Sequence, residues 1–291
     1  MTFGIMGNIR KPMLYSVAKE LIGYLTKRKI EFVLSEELAS VLTKKNEIAG
    51  GVRIYPLKKL ADHCDIIIAL GGDGTMLTAA RSVGNRSTPI LGINLGKLGF
   101  LAEVPVSAIR ETINSILKNN YSVEERMVIE AYSPQKKKRF YGMNDIVIDR
   151  GASKRVVALE TYVNDKYLLT YSADGLIVTT PTGSTAYSLA AGGPIIVPES
   201  NVIMLNPIAA HTLTARPLVV PDTSTIRVVV KMESPVHITA DGQIEAFYKT
   251  PAEIFIQKAN YTIKLIKQKD HSFFELLRTK LLWGKDVRVG N

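Results

Sequence analysis

The fold is decided by residues 65–75, where an apolar strand ends in a glycine turn and a helix follows. The run Asp65–Leu70 (Asp-Ile-Ile-Ile-Ala-Leu) is rich in β-branched residues, which is typical of a strand covered on both faces. Gly71-Gly72-Asp73-Gly74 interrupts this strand, and a helical pattern is predicted at Thr75–Val83. Ligands of open α/β sheets bind at the carboxyl ends of strands, so this turn is the first candidate site.

Strand-like and helix-like stretches alternate on both sides of the turn. Further strands are predicted at Thr2–Gly7, Glu31–Ser35 and Pro89–Asn94. Helices are predicted at Pro12–Arg28, Glu36–Lys44 and Val106–Asn119. Pro12 is expected in the opening turn of its helix, where the missing N–H costs nothing. The alternation predicts parallel strands with right-handed crossovers, so residues 1–125 are expected to form an α/β domain.

The pattern changes at about Met127, where short β-rich runs separated by turns begin. Strands are predicted at Ala158–Val163, Tyr167–Tyr171, Thr225–Met232, Val236–Ala240, Ala252–Gln257 and Tyr261–Ile266. Asn164-Asp165-Lys166 lies between the first two runs and is typical of a hairpin. We therefore expect a mainly antiparallel, β-rich domain at residues 126–269.

The end of the chain has the pattern of a helix at Ser272–Leu282. This helix is expected to return to the first domain, to which residues 270–291 are therefore assigned. Trp283 and its large apolar neighbours are expected to anchor the helix in a core or an interface. Those neighbours are Leu281, Leu282, Phe273 and Phe274.

The composition is that of a soluble globular chain, with 291 residues, 46% hydrophobic residues and a formal net charge of +10. The excess of positive charge favours anionic partners such as phosphates and nucleotides. A single cysteine, Cys64, excludes an internal disulfide and a multi-cysteine metal site, and it is expected to be a small core residue. Without a signal-peptide pattern at residues 1–10 or a membrane-like run, we expect a cytoplasmic protein.

The glycine turn has the chemistry of a phosphate site that also carries an acid. Glycines and the start of a helix favour bound anions, whereas the Asp73 carboxylate repels a phosphate. Asp73 is therefore expected to accept a proton from a hydroxyl or to hold a metal ion. The alternative is a strand-to-helix turn in which Asp73 caps the helix, and we favour the functional interpretation.

Two further motifs lie in the β-rich part. Asn144 and Asp145 stand together at a predicted strand start, where their side chains could hold ribose hydroxyls or a base edge, or form a simple turn. The segment from Tyr171 to Pro194 is dense in small and hydroxyl side chains, with a small-residue helix expected from about Ser184. Such a segment lets a flat ligand lie close to the backbone. The chain has neither a P-loop motif nor an intact dinucleotide Gly-x-Gly-x-x-Gly motif.

These motifs, with Ala240-Asp241-Gly242-Gln243, occur in the order found in NAD kinases, and the chain resembles that family over residues 70–243. The glycine turn alone is also found in diacylglycerol and sphingosine kinases and in phosphofructokinases. The long block around residues 171–194 makes the resemblance specific. It implies ATP-dependent phosphorylation of NAD at the adenosine 2′-hydroxyl to give NADP.

The resemblance also implies roles for individual residues. Asp73 matches the family's proton acceptor. Asp73 and Gly74 together also match part of the family's NAD site. The other NAD-binding positions are Asn144, Asp145, Arg155, Asp174, Thr185, Ala186, Tyr187, Ser188, Leu189, Ala190 and Gln243. The phosphates of ATP are expected along Gly71, Gly72, Gly74 and Thr75, with Mg²⁺ neutralising their oxygens. Asp174 matches a residue that reaches the nicotinamide end, often from a neighbouring subunit, and a homo-oligomer (a tetramer or a dimer) is expected.

Two other readings of the same motifs remain open at this point. One is a lipid kinase that shares the glycine turn, and the other is a regulator that binds NAD(P) without turnover. The basic run Lys136–Arg139 is read as a solvated hairpin tip rather than a nucleic-acid patch, because no aromatic residues are interleaved with it. The four histidines (His63, His211, His237 and His271) have no metal-ligand spacing.

Overall fold

The chain forms two compact units, seen in a computed structural model that describes residues 1–43, 51–212, 214–267 and 272–283. The first unit comprises Met1–Glu125 and Ile263–Asn291, and the second comprises Arg126–Thr262. Among the described residues, none of the helices is long and apolar enough to cross a lipid bilayer.

The first unit alternates strands and helices. Its strands are β1 (Thr2–Gly7), β2 (Glu31–Ser35), β3 (Arg53–Tyr55), β4 (Ile66–Gly71), β5 (Ile90–Asn94) and β6 (Val104–Pro105). Its helices are α1 (Leu14–Lys27), α2 (Glu36–Thr43), α3 (Leu57–Leu60), α4 (Asp73–Val83), α5 (Ile109–Leu117) and, near the other end of the chain, α7 (Phe273–Leu281).

Parallel pairing orders the main strands of this unit β5-β4-β1-β2-β3. The direction in which strands are added to the sheet reverses between β1 and β4. From β1 the chain continues to β2 and β3 on one side, and from β4 it continues to β5 on the other side. The buried faces of α1, α2 and α5 pack with apolar residues of the sheet in one core. The predicted α/β class is confirmed, and the reversal places a crevice at the carboxyl ends of β1 and β4.

The second unit is built almost wholly from strands. They are β7 (Ser122–Ser133), β8 (Lys136–Gly142), β9 (Asp145–Asp149), β10 (Val157–Val163), β11 (Lys166–Ala173), β12 (Gly175–Thr179), β13 (Val202–Ile208), β14 (Leu218–Pro221), β15 (Ile226–Val230), β16 (Val236–Ala240), β17 (Ile244–Tyr248) and β18 (Ala252–Lys267). A short helix, α6 (Tyr187–Ala190), interrupts them. The division between the units falls within β7 and β18.

Antiparallel pairing dominates this unit, as predicted. One sheet has the order β14-β13-β12-β9-β16-β17, and another group pairs in the order β11-β10-β15-β18. Alternate residues of strands such as β15 and β16 are buried, and they meet in a shared core. The hairpin predicted at Asn164-Asp165 is present, with Val163 paired to Lys166 and both turn residues at positive φ.

Several predicted boundaries differ from the structure. Asp73 is already helical and Gly72 is the residue before the helix, so Asp73 is not the cap. Pro12 precedes α1 instead of lying in its opening turn. The predicted helix at Val106–Asn119 is a 3₁₀ turn followed by α5, and the two strands predicted at Ala252–Gln257 and Tyr261–Ile266 are one continuous strand, β18. Lys44 and His271 lie outside the described residues.

The long small-residue helix expected from Ser184 is also shorter than predicted. Residues Thr182–Thr185 form a 3₁₀ turn, and α6 adds only four residues. Gly192 then takes a positive φ of 80°, and Pro194 follows two residues later. These two residues explain why a helix cannot continue beyond Ala190.

The basic run Lys136–Arg139 is not a hairpin tip. It lies within β8, and the turn is formed by residues 134–135. The Nζ atom of Lys136 lies 4.4 Å from the ring centre of Tyr248, and Cζ of Arg139 lies 4.6 Å from that of Tyr132. These cations therefore stack on aromatic rings within the second unit.

The C-terminal helix belongs to the first unit, as predicted, but its apolar anchor is different. Leu276 and Leu277 are the buried residues of α7. Trp283 is 53% exposed and Phe274 is 58% exposed, so neither lies in the core of this chain. The predicted anchoring in a core is therefore wrong for Trp283 and Phe274, and anchoring in an interface stays a prediction.

Candidate active site

Asp73 lies at the topological switch point of the first unit. β4 ends at Gly71, and Asp73 is the first residue of α4. The N–H of Asn8, which follows β1, donates to Leu70 O at 3.0 Å and so ties the ends of the two strands together. The sequence therefore delivers a carboxylate to the crevice where α/β sheets bind ligands.

Backbone N–H groups hold the Asp73 carboxylate from three consecutive residues. Oδ2 accepts from Phe100 at 2.8 Å, and Oδ1 accepts from Leu101 at 2.9 Å and from Ala102 at 3.2 Å. Asn94 at the end of β5 holds the start of the same loop, accepting from Gly96 N at 2.8 Å. The acid is thus fixed in orientation by backbone N–H groups, and no ion pair with a cation is present among the described residues.

The glycine turn itself is closed by Thr75. Its hydroxyl accepts from Gly72 N at 3.4 Å, and its N–H donates to Gly72 O at 2.8 Å. A Cβ at Gly71 would overlap the Thr75 hydroxyl, whereas no atom lies within 4 Å of a Cβ built at Gly72 or Gly74. Gly71 is therefore required for packing, and Gly72 and Gly74 border open space.

In the second unit, Asn144 ends a turn and Asp145 is the first residue of β9, and hydrogen bonds hold the backbone of this turn. Met143 O accepts from the Thr180 hydroxyl at 2.6 Å, and Asn144 O accepts from Thr180 N and from the Thr179 hydroxyl, both at 2.9 Å. A Cβ at Gly183 would overlap Asn144 O. The block that the sequence singled out at residues 171–194 thus packs directly on the Asn144-Asp145 pair.

Asp145 has a buried carboxyl group with a strongly raised pKa. Burial and, to a smaller extent, the neighbouring Asp241 carboxylate raise the pKa of this carboxyl to about 7. Burial also raises the pKa of Tyr187, and the carboxylates of Asp149, Asp145 and Asp174 add to that effect. The hydroxyl of Tyr187 therefore lies in the negative field of these acids.

The segment Thr185–Ala190 is held from β13. Asn206 Nδ2 donates to Ser188 O at 2.9 Å and to Ser188 Oγ at 3.1 Å. A Cβ at Gly193 would lie 2.7 Å from Asn206 Nδ2, so residue 193 must be glycine for this contact. Asn206 is buried and fixes α6 against the sheet.

The remaining predicted binding residues lie at separate places in the second unit. Asp174 Oδ1 accepts from Arg150 Nε at 2.7 Å. Arg155 is 82% exposed and pairs with Glu233 at 3.2 Å. Gln243 donates its N–H to Ala240 O at 3.0 Å and closes a turn. The structure brings Asn144, Asp145 and the residues of the 179–190 block together, and it leaves Arg155 on the surface.

Sequence reasoning missed three supporting groups. The loop Gly99–Ala102 holds Asp73, but its sequence offers no reason to assign it a role. Asn206 is a buried amide in the otherwise apolar strand Val202–Ile208, which is a signal that could have been used. Asp241 was read only as part of a family motif, although an Asp-Gly pair after a β-rich run is a strong hairpin signal.

The resemblance implies a divalent metal ion, which protein side chains can hold only where several donor groups lie together. Among the described residues, His, Cys, Asp and Glu side chains form no group of three that could hold a metal ion. The Asp73 carboxylate is already engaged by three N–H groups. The described side chains therefore do not fit a metal site held by protein ligands alone.

A parallel sheet with an acid-bearing glycine turn at its switch point defines a nucleotide-binding α/β enzyme class. Residues 3–121 match the sequence model of the ATP-NAD kinase N-terminal domain, and residues 143–268 match that of the ATP-NAD kinase C-terminal domain. The chain is 42% identical to an NAD kinase of Bacteroides fragilis, over 99% of this chain and 100% of that protein. The chain belongs to the NAD kinase family.

Two solved structures have the same fold. One is the yeast NADH kinase complexed with NADH, which superposes with a TM-score of 0.91 at 23% identity and covers 100% of this chain and 90% of its own. The other is an NAD kinase from Archaeoglobus fulgidus in complex with ATP, with a TM-score of 0.76 at 22% identity and 97% of each chain covered. At these identities the likeness establishes the fold.

Proposed function

We propose that the protein transfers the γ-phosphoryl group of ATP to the 2′-hydroxyl of the adenosine ribose of NAD, giving NADP and ADP. Membership of the family along both units supports this activity. The main structural observation in favour of this reaction is that the Asp73 carboxylate has a single remaining acceptor position for a hydrogen bond.

A carboxylate oxygen has about two acceptor positions. Both positions of Oδ1 are taken by Leu101 and Ala102, whereas Oδ2 accepts only from Phe100 among the described residues. Oδ2 is therefore the atom that takes the proton of the 2′-hydroxyl. As that proton moves, the ribose oxygen forms its bond to the γ-phosphorus and the bond to the β-phosphate oxygen breaks, so that ADP leaves.

The phosphates of ATP are assigned to Gly71, Gly72, Gly74 and Thr75 in the glycine turn. The open space beside Gly72 and Gly74 and the start of α4 favour the approach of an anion. Mg²⁺ is commonly bound through substrate phosphates and few protein ligands. We therefore assign it to the substrate, as the ATP complex, because the described side chains provide no metal cage.

NAD is assigned to the remaining predicted residues. Asp73 and Gly74 face the reacting ribose. Asn144 and Asp145 bind the dinucleotide through their side chains, because the backbone polar groups of this turn are already hydrogen-bonded within the protein. The segment Thr185–Ala190 supports the adenosine, Asp174 the nicotinamide end, and Arg155 and Gln243 give further contacts. Residues 1–125 with 270–291 are thereby the nucleotide-binding domain, and residues 126–269 the NAD-binding domain.

The decisive experiment incubates the purified protein with ATP, Mg²⁺ and NAD, and measures NADP with an NADP-specific dehydrogenase. We expect NADP only when all three are present, and no phosphorylation of diacylglycerol or sphingosine. Phosphorylation of a lipid without NADP would favour a lipid kinase, and dinucleotide binding without turnover would favour a regulator. Neither alternative accounts for the match of both units to one family. The oligomeric state and the cytoplasmic location remain predictions from the sequence.

A further inference from the structure

Asp241 accepts hydrogen bonds from three consecutive backbone N–H groups of the turn that carries Asn144 and Asp145. Its Oδ2 accepts from Met143 at 3.0 Å, and its Oδ1 accepts from Asn144 at 2.8 Å and from Asp145 at 3.1 Å. Hydrogen bonds to an ionised acceptor are stronger than those between neutral groups. One side chain therefore satisfies every N–H of this turn.

The sheet register explains why this side chain can reach the turn. β16 ends at Ala240, which pairs with Ile146 of β9, and Asp241 N donates to Asp145 O at 3.0 Å. Asp241 and Gly242 then take positive φ values of 52° and 60°. They are the central residues of a turn that is closed by the hydrogen bond from Gln243 N to Ala240 O at 3.0 Å, and β17 begins one residue later at Ile244. The main chain of β16 stops pairing with β9 at this point. The Asp241 carboxylate, in its place, accepts hydrogen bonds from the N–H groups of residues 143–145.

The turn alone does not account for a carboxylate at this position. Two-residue turns with both φ values positive favour Asn-Gly as much as Asp-Gly. An asparagine, however, has one acceptor oxygen and an NH₂ group, and this group would face the N–H of Met143. The hairpin therefore tolerates either residue, whereas the three N–H groups require the acid.

The carbonyl groups of the same turn also accept hydrogen bonds, which the hydroxyl groups of Thr179 and Thr180 donate. The backbone polar groups of residues 143–145 are thus held from two directions, by Asp241 after β16 and by Thr179 and Thr180 at the end of β12. Only the side chains of Asn144 and Asp145 are left to define what this turn recognises.

We propose that Asp241 is a positioning residue that fixes the Asn144-Asp145 pair for the dinucleotide. This inference rests on the proposed function, because it takes NAD to be the ligand of that pair. Asp241 acts through the backbone of the turn, so its removal changes recognition of NAD and leaves ATP recognition and the proton acceptor Asp73 in place.

Asp241→Asn tests the proposal, because asparagine suits the hairpin but cannot accept from all three N–H groups. We expect the KM for NAD to rise about tenfold, which corresponds to the loss of one or two net hydrogen bonds. The KM for ATP and the kcat should stay near those of the wild type, and the midpoint of thermal unfolding should fall by no more than a few degrees. A role in turn formation alone predicts no change in any of these values.

Asp165→Asn is a matched control within the same unit. Asp165 also lies in a hairpin turn, at a φ of 62°, but its side chain is 91% exposed. This variant should leave both KM values unchanged. Asp241→Glu keeps the charge but moves the carboxylate away from the turn, and we expect it to raise the KM for NAD as well.

The outcomes separate this inference from the proposed function. If the wild type forms no NADP, the proposed function fails and this inference fails with it. If the wild type forms NADP and both Asp241 variants keep its KM for NAD, Asp241 does not position the pair. Loss of folding in Asp241→Asn would also overturn the proposal, unless Asp241→Glu folds with a raised KM for NAD.

Discussion

The Asp73 carboxylate occupies the space that a side chain at Gly99 would need. An ideal Cβ built at Gly99 would lie 2.7 Å from Cγ of Asp73 and closer still to Oδ1. The proposed base can therefore approach the N–H groups of the next three residues only because residue 99 is glycine.

Gly99→Ala should lower kcat although it removes no chemical group. The added methyl group displaces the Asp73 carboxylate from its backbone donors, and we expect a loss of at least about 100-fold, within the range of general-base catalysis. Gly96→Ala is the matched control, since its nearest contact would be Lys11 Nζ at an ordinary 3.7 Å. Steady-state assays of NADP formation compare the two, and equal kcat values for both variants would contradict the assigned role of the loop.

Asp145 should make the stability of the protein depend on pH between about 4 and 7. Its folded-state pKa of about 7 lies above the ordinary value of 3.8, so the folded state binds this proton more tightly. The stabilisation is therefore complete below the ordinary value and is lost as the pH rises through about 7. Relative to Asp145→Asn, the wild type should lose free energy of unfolding between pH 5 and pH 8 in urea titrations. A difference that does not change with pH would contradict the raised pKa.

Asn206→Ala should loosen the segment that includes α6. It removes both hydrogen bonds to Ser188, and we expect a loss of about 1–3 kcal/mol in the free energy of unfolding. The KM for NAD should rise more than the KM for ATP, because the segment is assigned to the adenosine of NAD. Asn201→Ala, an exposed position before the same strand, is the control. The assignment fails if Asn206→Ala changes stability alone.

The C-terminal helix should be anchored by Leu277 and not by the larger aromatic residues. Leu277 is 3% exposed, and its replacement by alanine should cost about 2–5 kcal/mol. Phe274→Ala should change the free energy of unfolding by less than about 0.5 kcal/mol, as is usual for surface substitutions. Denaturant unfolding of both variants measures this, and a large loss for Phe274→Ala would indicate that an interface covers it.

The sequence was sufficient for the features that depend on local pattern. The β-branched run before Gly71 predicted a buried strand, and the Asn164-Asp165 pair predicted a hairpin, because these signals lie within a few residues. The position of Asp73 at a strand end also followed, since the glycines mark where the strand stops.

The contacts that complete the site could not be predicted, because they join residues far apart in the chain. Asp241 and Asn144 are separated by 97 positions, and Asp73 and Leu101 by 28. Pairing of β16 with β9, and of β4 with β5, brings these residues together. Helix faces were also difficult, as Trp283 illustrates, because hydrophobicity does not show which side chains another element covers.

The most direct measurement compares Asp73→Asn with the wild type in two assays on the same preparations: kcat for NADP formation and the dissociation constant of NAD by calorimetry. Asparagine can still accept from Leu101 and Ala102 while losing the acceptor at Oδ2. The account predicts a fall in kcat of about 10²–10⁴-fold with little change in NAD affinity. Turnover at the wild-type rate would show that this carboxylate is not the group that takes the ribose proton.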